Sequence, residues 1–179
     1  MGIRSLISAH RRVSAITAVV VAALIAFTLY WFAPWNLFVD KHVAEALPTA
    51  PSSSTDPSGT EPASAASKVL ARGAFRSLEH ESSGTALLIR LNDGTRYLRF
   101  EGLDTSNGPD LRVWVTDQPV SDDWHVWDDG DYLDLGALKG NVGDQNYVIP
   151  AGTDLSRFET AVIWCRRFKV GFAVAPIAT

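Results

Sequence analysis

Cysteine and methionine are almost absent from this sequence, which has one of each in 179 residues. With Cys165 as its single cysteine, the chain cannot form an internal disulfide. No Cys-x-x-Cys-His attachment sequence occurs, which excludes covalently bound c-type haem. Cys165 is therefore an inert buried thiol, a link to another molecule, or a redox or cofactor-binding group.

A strong excess of charge of one sign is also missing. The 16 Lys and Arg residues against 20 Asp and Glu residues give a net charge of −4, so no basic face for nucleic acid is indicated. Phosphate-binding glycine motifs, Gly-x-Ser-x-Gly and His-Glu-x-x-His are absent as well. These absences indicate neither a phosphate-binding site nor a hydrolase.

A long apolar run dominates the N-terminal part of the sequence. Residues 13–35 contain no ionised side chain, and about 20 apolar residues are enough for a helix to cross a bilayer. The apolar region of a cleavable signal is shorter, about 7–15 residues. Residues 44–46 do resemble a small-x-small cleavage site, but they lie well beyond the run. We therefore expect residues 13–35 to be an uncleaved transmembrane signal anchor.

The flanking charges predict which way this anchor is oriented. Arg4, Arg11 and Arg12 precede the run, and no cationic excess follows it. By the positive-inside rule, residues 1–12 form a cytoplasmic N-terminus. The expected protein is a single-pass component of the cell membrane whose C-terminal domain is extracellular or periplasmic.

Residues 36–68 are expected to be a juxtamembrane segment followed by a linker. From about residue 47 this stretch is rich in Pro, Ser and Ala and lacks aromatic side chains, so it cannot bury enough apolar surface to offset its ordering entropy. The sequence predicts a disordered, partly extended linker that holds the following domain some distance from the membrane.

Residues 69–179 have the pattern of a β-rich domain. A β-type run at 86–91, a turn at 92–94 and an alternating run at 95–100 predict a hairpin. Further strands are expected at 111–116, 132–138, 145–149, 160–165 and 169–175. Seven or eight short strands separated by turn residues predict an all-β fold, an antiparallel β-sandwich, preceded by one transmembrane helix and the linker.

Three blocks of this domain carry a resemblance to a known family. They lie at residues 98–111 (LRFEGLDTSNGPDL), 135–150 (LGALKGNVGDQNYVIP) and 162–168 (VIWCRRF). Together they resemble the electron-transfer DM-thirteen family, a β-rich extracellular domain that in animals often accompanies DOMON domains. The resemblance covers roughly residues 73–175 and implies an electron-transfer role through the family's cysteine, either as a bare thiol or as the ligand of a group such as haem.

The resemblance assigns this redox role to Cys165. If residues 160–165 form a strand, Cys165 shares a face with Ala161 and Ile163, while Trp164 and Arg166 lie on the other face. A small buried residue beside Ile163 is the structural alternative, since cysteine is among the most buried residue types. For a haem, His80 and His125 are the histidines of the domain that could supply a second ligand.

The acidic, aromatic stretch 121–134 is the second candidate site. Asp128, Asp129 and Asp131 could bind a hard cation such as Ca²⁺, but the spacing fails the EF-hand pattern. A solvated acidic loop whose Trp124 and Trp127 fold back on the domain is the alternative. Exposed tryptophans would instead indicate contact with a protein or glycan.

The sequence thus leaves two functions open. The first is a membrane-anchored redox domain that uses Cys165 and an unidentified protein or redox partner outside the cell. The second is a non-catalytic adhesion or scaffold module that binds protein or glycan at the cell surface. An exposed sulfur would favour the first function, and a sulfur sealed in the core would favour the second.

Overall fold

The structure is a computed structural model that describes residues 11–35, 39–49 and 67–178. It begins with a helix, α1 (Arg11–Phe32). Within α1, the 20 residues Val13–Phe32 have a mean hydropathy of 2.3 and no buried residue, so this segment is long and apolar enough to cross a membrane. The helix ends where Ala33 adopts a left-handed conformation with φ 43° ahead of Pro34, which cannot continue a helix.

After α1, the described residues form ten strands. They are β1 (His42–Ala44), β2 (Ser67–Ala74), β3 (Arg76–Ser77), β4 (Ser83–Leu91), β5 (Arg96–Asp104), β6 (Leu111–Thr116), β7 (Tyr132–Ala137), β8 (Val142–Ile149), β9 (Thr160–Cys165) and β10 (Val170–Pro176). The 3₁₀ turns Val126–Asp128 and Leu155–Arg157 lie in connections between strands.

The strands form two five-stranded sheets. The first has the order β1-β8-β5-β4-β2 and the second the order β3-β10-β9-β6-β7. All pairs are antiparallel except β1 with β8. The prediction of an all-β antiparallel sandwich behind one apolar helix is confirmed. The hairpin of β4 and β5 and the bounds of β6 and β9 are as predicted, whereas β1 to β3 were not foreseen because they are short or polar.

The core lies between the two sheets. Inward side chains of the first sheet, such as Leu98 and Phe100, meet those of the second, such as Val113 and Ile163, and all four are fully buried. Phe75 packs edge-on against Phe100 at a centroid distance of 4.9 Å. This alternation of inward and outward side chains determines which residues share a face throughout the domain.

Strand directions define two ends of the sandwich. At one end β9 turns into β10, β6 begins and β8 begins, so Cys165, Leu111 and Val142 lie there; we call this the helix end. At the opposite, distal end lie the start of β9 and the turn between β4 and β5 around Asp93. The helix end contacts α1, because Arg167 Nη1 donates hydrogen bonds to the carbonyl oxygens of Tyr30 and Trp31.

Strand β1, which follows the juxtamembrane residues, belongs to the first sheet. It pairs in parallel with β8, where Val43 lies opposite Gly143. Gly143 has φ 103°, and a Cβ there would lie 2.0 Å from the Val43 carbonyl oxygen, so only glycine permits this approach. The segment His42–Ala44 is therefore part of the sheet, and the domain contacts the end of α1 through Arg167. Residues 50–66 of the linker and 1–10 of the N-terminus lie outside the described residues.

Arg99 and Lys139 hold the residues that follow β1. Arg99, only 4% exposed, donates to the carbonyl oxygen of Glu45 at 3.0 Å and forms ion pairs with Glu101 and Asp144. Lys139 Nζ lies 2.7 Å from the Glu45 carboxylate. The buried guanidinium is thus surrounded by acceptors, which a buried charge needs.

The attachment of β1 should depend on pH through Glu45. Partial burial opposes ionisation of Glu45, but hydrogen bonds from Lys139 and the Asn146 backbone outweigh it and hold the pKa below its ordinary value of 4.5. Because the folded pKa is the lower one, the stabilisation is complete above about 4.5 and is lost as the pH falls through the folded pKa. Hydrogen exchange of the Glu45 amide, which donates to the Asp144 carbonyl oxygen at 2.9 Å, should accelerate over this range beyond the intrinsic pH effect.

The variant Glu45→Gln is the matched control. It cannot titrate, so its amide should exchange faster than the wild type at neutral pH and show no additional acceleration in acid. Equal protection in the two proteins at neutral pH would contradict the assigned role of the carboxylate.

Candidate functional site

Cys165 is the last residue of β9 and is fully buried. Its register partners are Leu111 on β6 and Val170 on β10, and its side chain belongs to the core between the sheets. The predicted parity is confirmed: Ala161 and Ile163 share the face of Cys165. The structure therefore has the sealed sulfur that the sequence analysis associated with the binding-module alternative.

The surroundings of the sulfur keep it protonated. Burial raises the pKa of the Cys165 thiol, and this outweighs hydrogen bonds to the sulfur from the backbone of Phe168, Arg167 and Asp110. The negative charge of Asp110 acts in the same direction as burial. Since the thiolate is the nucleophilic form, the folded domain presents an unreactive neutral thiol.

A haem does not fit beside this sulfur. Thiolate ligation needs open space at the ligand atom, and Cys165 is 0% exposed. A cleft lined by Asp110 and by Leu111, the register partner of Cys165 on β6, has a volume of about 230 Å³ and is not lined by Cys165 itself. This is below the roughly 300–1,000 Å³ of typical ligand sites. Loading a haem on Cys165 would require the two sheets to separate.

The histidines proposed as second ligands are engaged elsewhere. His80 packs on Phe172 with a ring-centroid distance of 4.1 Å. The Nδ1 atom of His125 lies 2.8 Å from the carbonyl oxygen of Lys169. Neither contact involves the sulfur of Cys165.

The acidic loop does not form a cation site in the described part of the chain, where no group of three or more His, Cys, Asp or Glu side chains could hold a metal ion. Asp131 forms an ion pair with Arg157, and Asp128 lies 3.7 Å from Lys169 Nζ. Asp129 is exposed at the end of the 3₁₀ turn. The three carboxylates are therefore divided between separate cationic partners and solvent.

The tryptophans of this loop have different positions. Trp127 is 0% exposed and packs on the outer face of the second sheet, together with Val162 and Val174. Trp124 is 43% exposed, although its carbonyl oxygen accepts a hydrogen bond from Gly171. The loop is thus a cover over the second sheet that leaves one tryptophan in solvent.

Beneath this loop lies an aromatic stack that sequence reasoning missed. Tyr132, 46% exposed, stacks on Trp114 with centroids 4.1 Å apart and an interplanar angle of 12°. Trp114 stacks on Trp164 at 5.1 Å and 29°. Trp114 and Trp164 are 4% and 1% exposed. The stack therefore runs from solvent to the residue that is covalently bonded to Cys165.

Strand register explains this stack. Trp114 pairs with Val162 on β9 and with Asp134 on β7, so Trp164 and Tyr132 are its diagonal neighbours on the outer face. Diagonal positions on adjacent strands are within reach of aromatic side chains. Both β6 and β9 were predicted as strands from the sequence, but the order of strands in the sheet was not.

These features define a class of protein: a two-sheet β domain with one sealed cysteine behind an apolar helix that could span a membrane. The family model described as Electron transfer DM13 matches residues 74–177, more than half of the chain. The chain belongs to this family. Neither the curated proteins nor the solved structures give a match. Strand β1 and most of β2 lie outside the matched residues.

Thiol labelling tests the sealed position of Cys165. In the folded protein, a water-soluble disulfide reagent should react with Cys165 roughly a hundredfold or more slowly than in the denatured protein, because labelling requires local opening. The raised pKa means that this protection should persist up to the ordinary thiol pKa of 9.0. Labelling of the native protein at the denatured rate would contradict the sealed geometry. An Asp123→Cys variant, at an exposed position of the acidic loop, is the positive control.

Proposed function

We propose that this protein is a membrane-anchored electron-transfer domain whose redox group is the Cys165 thiol, reached through the stack of Tyr132, Trp114 and Trp164. Family membership supports an electron-transfer role, and the stack is the observation that carries the proposal. In the proposed arrangement α1 is the anchor, the N-terminus is cytoplasmic, and the domain is extracellular or periplasmic.

The sealed sulfur determines which redox chemistry is feasible. Thiol–disulfide exchange requires a thiolate that attacks another sulfur directly, and both burial and the raised pKa of Cys165 oppose it. Transfer of single electrons needs no contact between the sulfur and the partner, because electrons can pass between aromatic rings in van der Waals contact. One-electron chemistry is therefore compatible with the closed core.

The proposed reaction balances as follows. An external one-electron acceptor takes an electron from Tyr132. Tyr132 is then reduced by Trp114, Trp114 by Trp164, and Trp164 by the Cys165 thiol. Cys165 loses one electron along this route and one proton to the Asp110 carboxylate, whose charge already acts on the thiol. Return of one electron and one proton restores the thiol. The structure contains the stack; the Asp110 carboxylate as proton acceptor and the external electron acceptor as partner are parts of the proposal.

The second candidate function is a non-catalytic adhesion or scaffold module for a protein or glycan. Two observations favour it: Cys165 is sealed, and Trp124 is 43% exposed on the acidic loop. In that case Cys165 is only a core residue, as buried cysteines commonly are.

Photo-oxidation distinguishes the two functions. A soluble ruthenium photo-oxidant, in the presence of oxygen, should convert Cys165 of the wild type to oxygenated products that mass spectrometry detects. In the variant Trp114→Phe, a ring of similar shape that is far harder to oxidise interrupts the stack, so the yield at Cys165 should fall several-fold. The variant Trp124→Phe removes a tryptophan outside the stack and should leave the yield unchanged.

The folded state of each variant is verified by circular dichroism before illumination. Equal oxidation of Cys165 in the wild type and in folded Trp114→Phe would contradict the route. A thiol that stays intact in every folded protein would reject the redox function and leave the binding module as the remaining candidate.

A further inference from the structure

We infer that the turn between β9 and β10, residues 166–169, is a membrane-contact surface that binds the phosphate layer of the bilayer beside the anchor. This inference rests on the proposed anchoring of α1. We call these four residues, Arg166, Arg167, Phe168 and Lys169, the contact turn. It lies at the helix end of the sandwich.

Arg167 joins the contact turn to the end of α1. The last four carbonyl groups of a helix have no partners within the helix. Arg167 Nη1 donates to two of them, to the Trp31 oxygen at 2.6 Å and to the Tyr30 oxygen at 3.3 Å. Its guanidinium also lies 5.4 Å from the Trp31 ring centroid. A cation at this position opposes the negative end of the helix dipole.

Phe168 continues the apolar surface of the helix. It is 39% exposed and stacks on Phe32, the last residue of α1, with centroids 5.8 Å apart. Aromatic residues at a helix end, such as Tyr30 and Trp31, are typical of the membrane–water boundary. Phe168 therefore lies at the same level as the residues that would occupy this boundary.

The charges of the contact turn are suited to lipid phosphates. Lys169, with 76% of its side chain exposed, is 3.7 Å from Asp128, so its ammonium group remains largely available. Arg166 is paired with Asp110 at 2.9 Å but is itself 59% exposed. Exposed pairs of this kind are weak. Lys and Arg side chains can extend from an apolar surface to headgroup phosphates while their stems stay in contact with it.

The chain itself keeps the contact turn near the bilayer. The nine residues 33–41 separate α1 from β1, which at about 3.3–3.6 Å per residue span roughly 30 Å when fully extended. This is comparable with the diameter of a domain of this size, since the radius of gyration of 100 residues is about 13 Å. With β1 fixed in the first sheet, the domain cannot leave the membrane surface by a large distance.

Depth-dependent fluorescence quenching tests the inference with the full chain. The protein is reconstituted in liposomes of phosphatidylcholine and phosphatidylglycerol, in a Cys165→Ala background. An environment-sensitive NBD label is placed at Lys169→Cys, and the matched control carries it at Asp93→Cys at the distal end. Lipids with a nitroxide on the headgroup should quench the label at position 169 several-fold more strongly than the label at position 93.

The substitution Arg167→Gln tests the attachment to the helix. Without the guanidinium, headgroup quenching at position 169 should decrease towards that at position 93, and the control substitution Arg157→Gln at the distal end should leave it unchanged. Resistance of each protein to extraction by alkaline carbonate is measured in parallel and reports on the anchor alone.

The outcomes separate the two proposals. A carbonate-resistant protein whose labels at positions 169 and 93 are quenched equally would overturn the membrane-contact surface and leave the anchor intact. Extraction by carbonate would overturn both. Fluorescence of the label at position 169 could instead depend on the protein-to-lipid ratio and not on the headgroup nitroxide. That result would show that the contact turn binds a second copy of the chain and would reject binding to the phosphate layer.

Discussion

Burial of β9 on both of its faces is the constraint on which the rest of this structure depends. Every residue of Thr160–Cys165 is buried, so one face must pack between the sheets while the other needs a separate cover. The first requirement seals Cys165 in the core. The second requirement is met by Trp114 and by the loop that carries Trp127. Because β9 is covered on both sides, the thiol of Cys165 lies in the core on one face while Trp164, the residue before it, joins the aromatic stack on the other.

This arrangement restricts the chemistry of the thiol more than family membership does. A solvent-exposed cysteine could exchange disulfides or bind a cofactor, whereas Cys165 has neither access nor a stabilised thiolate. What the geometry leaves is movement of single electrons through adjacent rings, or no redox chemistry at all. The two remaining functions differ in whether oxidised Trp114 takes an electron from Cys165 through Trp164. This depends on the stack and not on the cysteine alone.

The contact between α1 and the domain depends on polar backbone groups that have no partner within the helix. The end of α1 exposes carbonyl groups, and Arg167 supplies donors for two of them. Further along the chain, Arg99 donates to the carbonyl oxygen of Glu45, and Lys139 forms an ion pair with the Glu45 carboxylate. These contacts hold β1 as an edge strand of the sandwich, and the helix end of the domain is the end nearest α1.

Local patterns were sufficient for much of this fold. Alternation within 95–100 and the strand-like runs 111–116 and 160–165 predicted strands that the structure contains, and the parity of the last of these placed Cys165 beside Ile163. Strand β1 escaped prediction because three residues carry no periodic signal, and the need for glycine at position 143 follows only from the approach of the Val43 backbone in that strand. The proposed extracytoplasmic location and anchor orientation remain predictions from charge and hydropathy.

By itself, the sequence determined the apolar helix, the all-β character and the face of the strand on which Cys165 lies, because each follows from the spacing of side chains along a few residues. Tertiary structure alone decided that β6 lies next to β9, that Tyr132 and Trp164 stack on Trp114, and that Arg167 meets the end of α1. These contacts join residues distant in sequence, and their formation depends on strand order and on the free energy of packing the whole core.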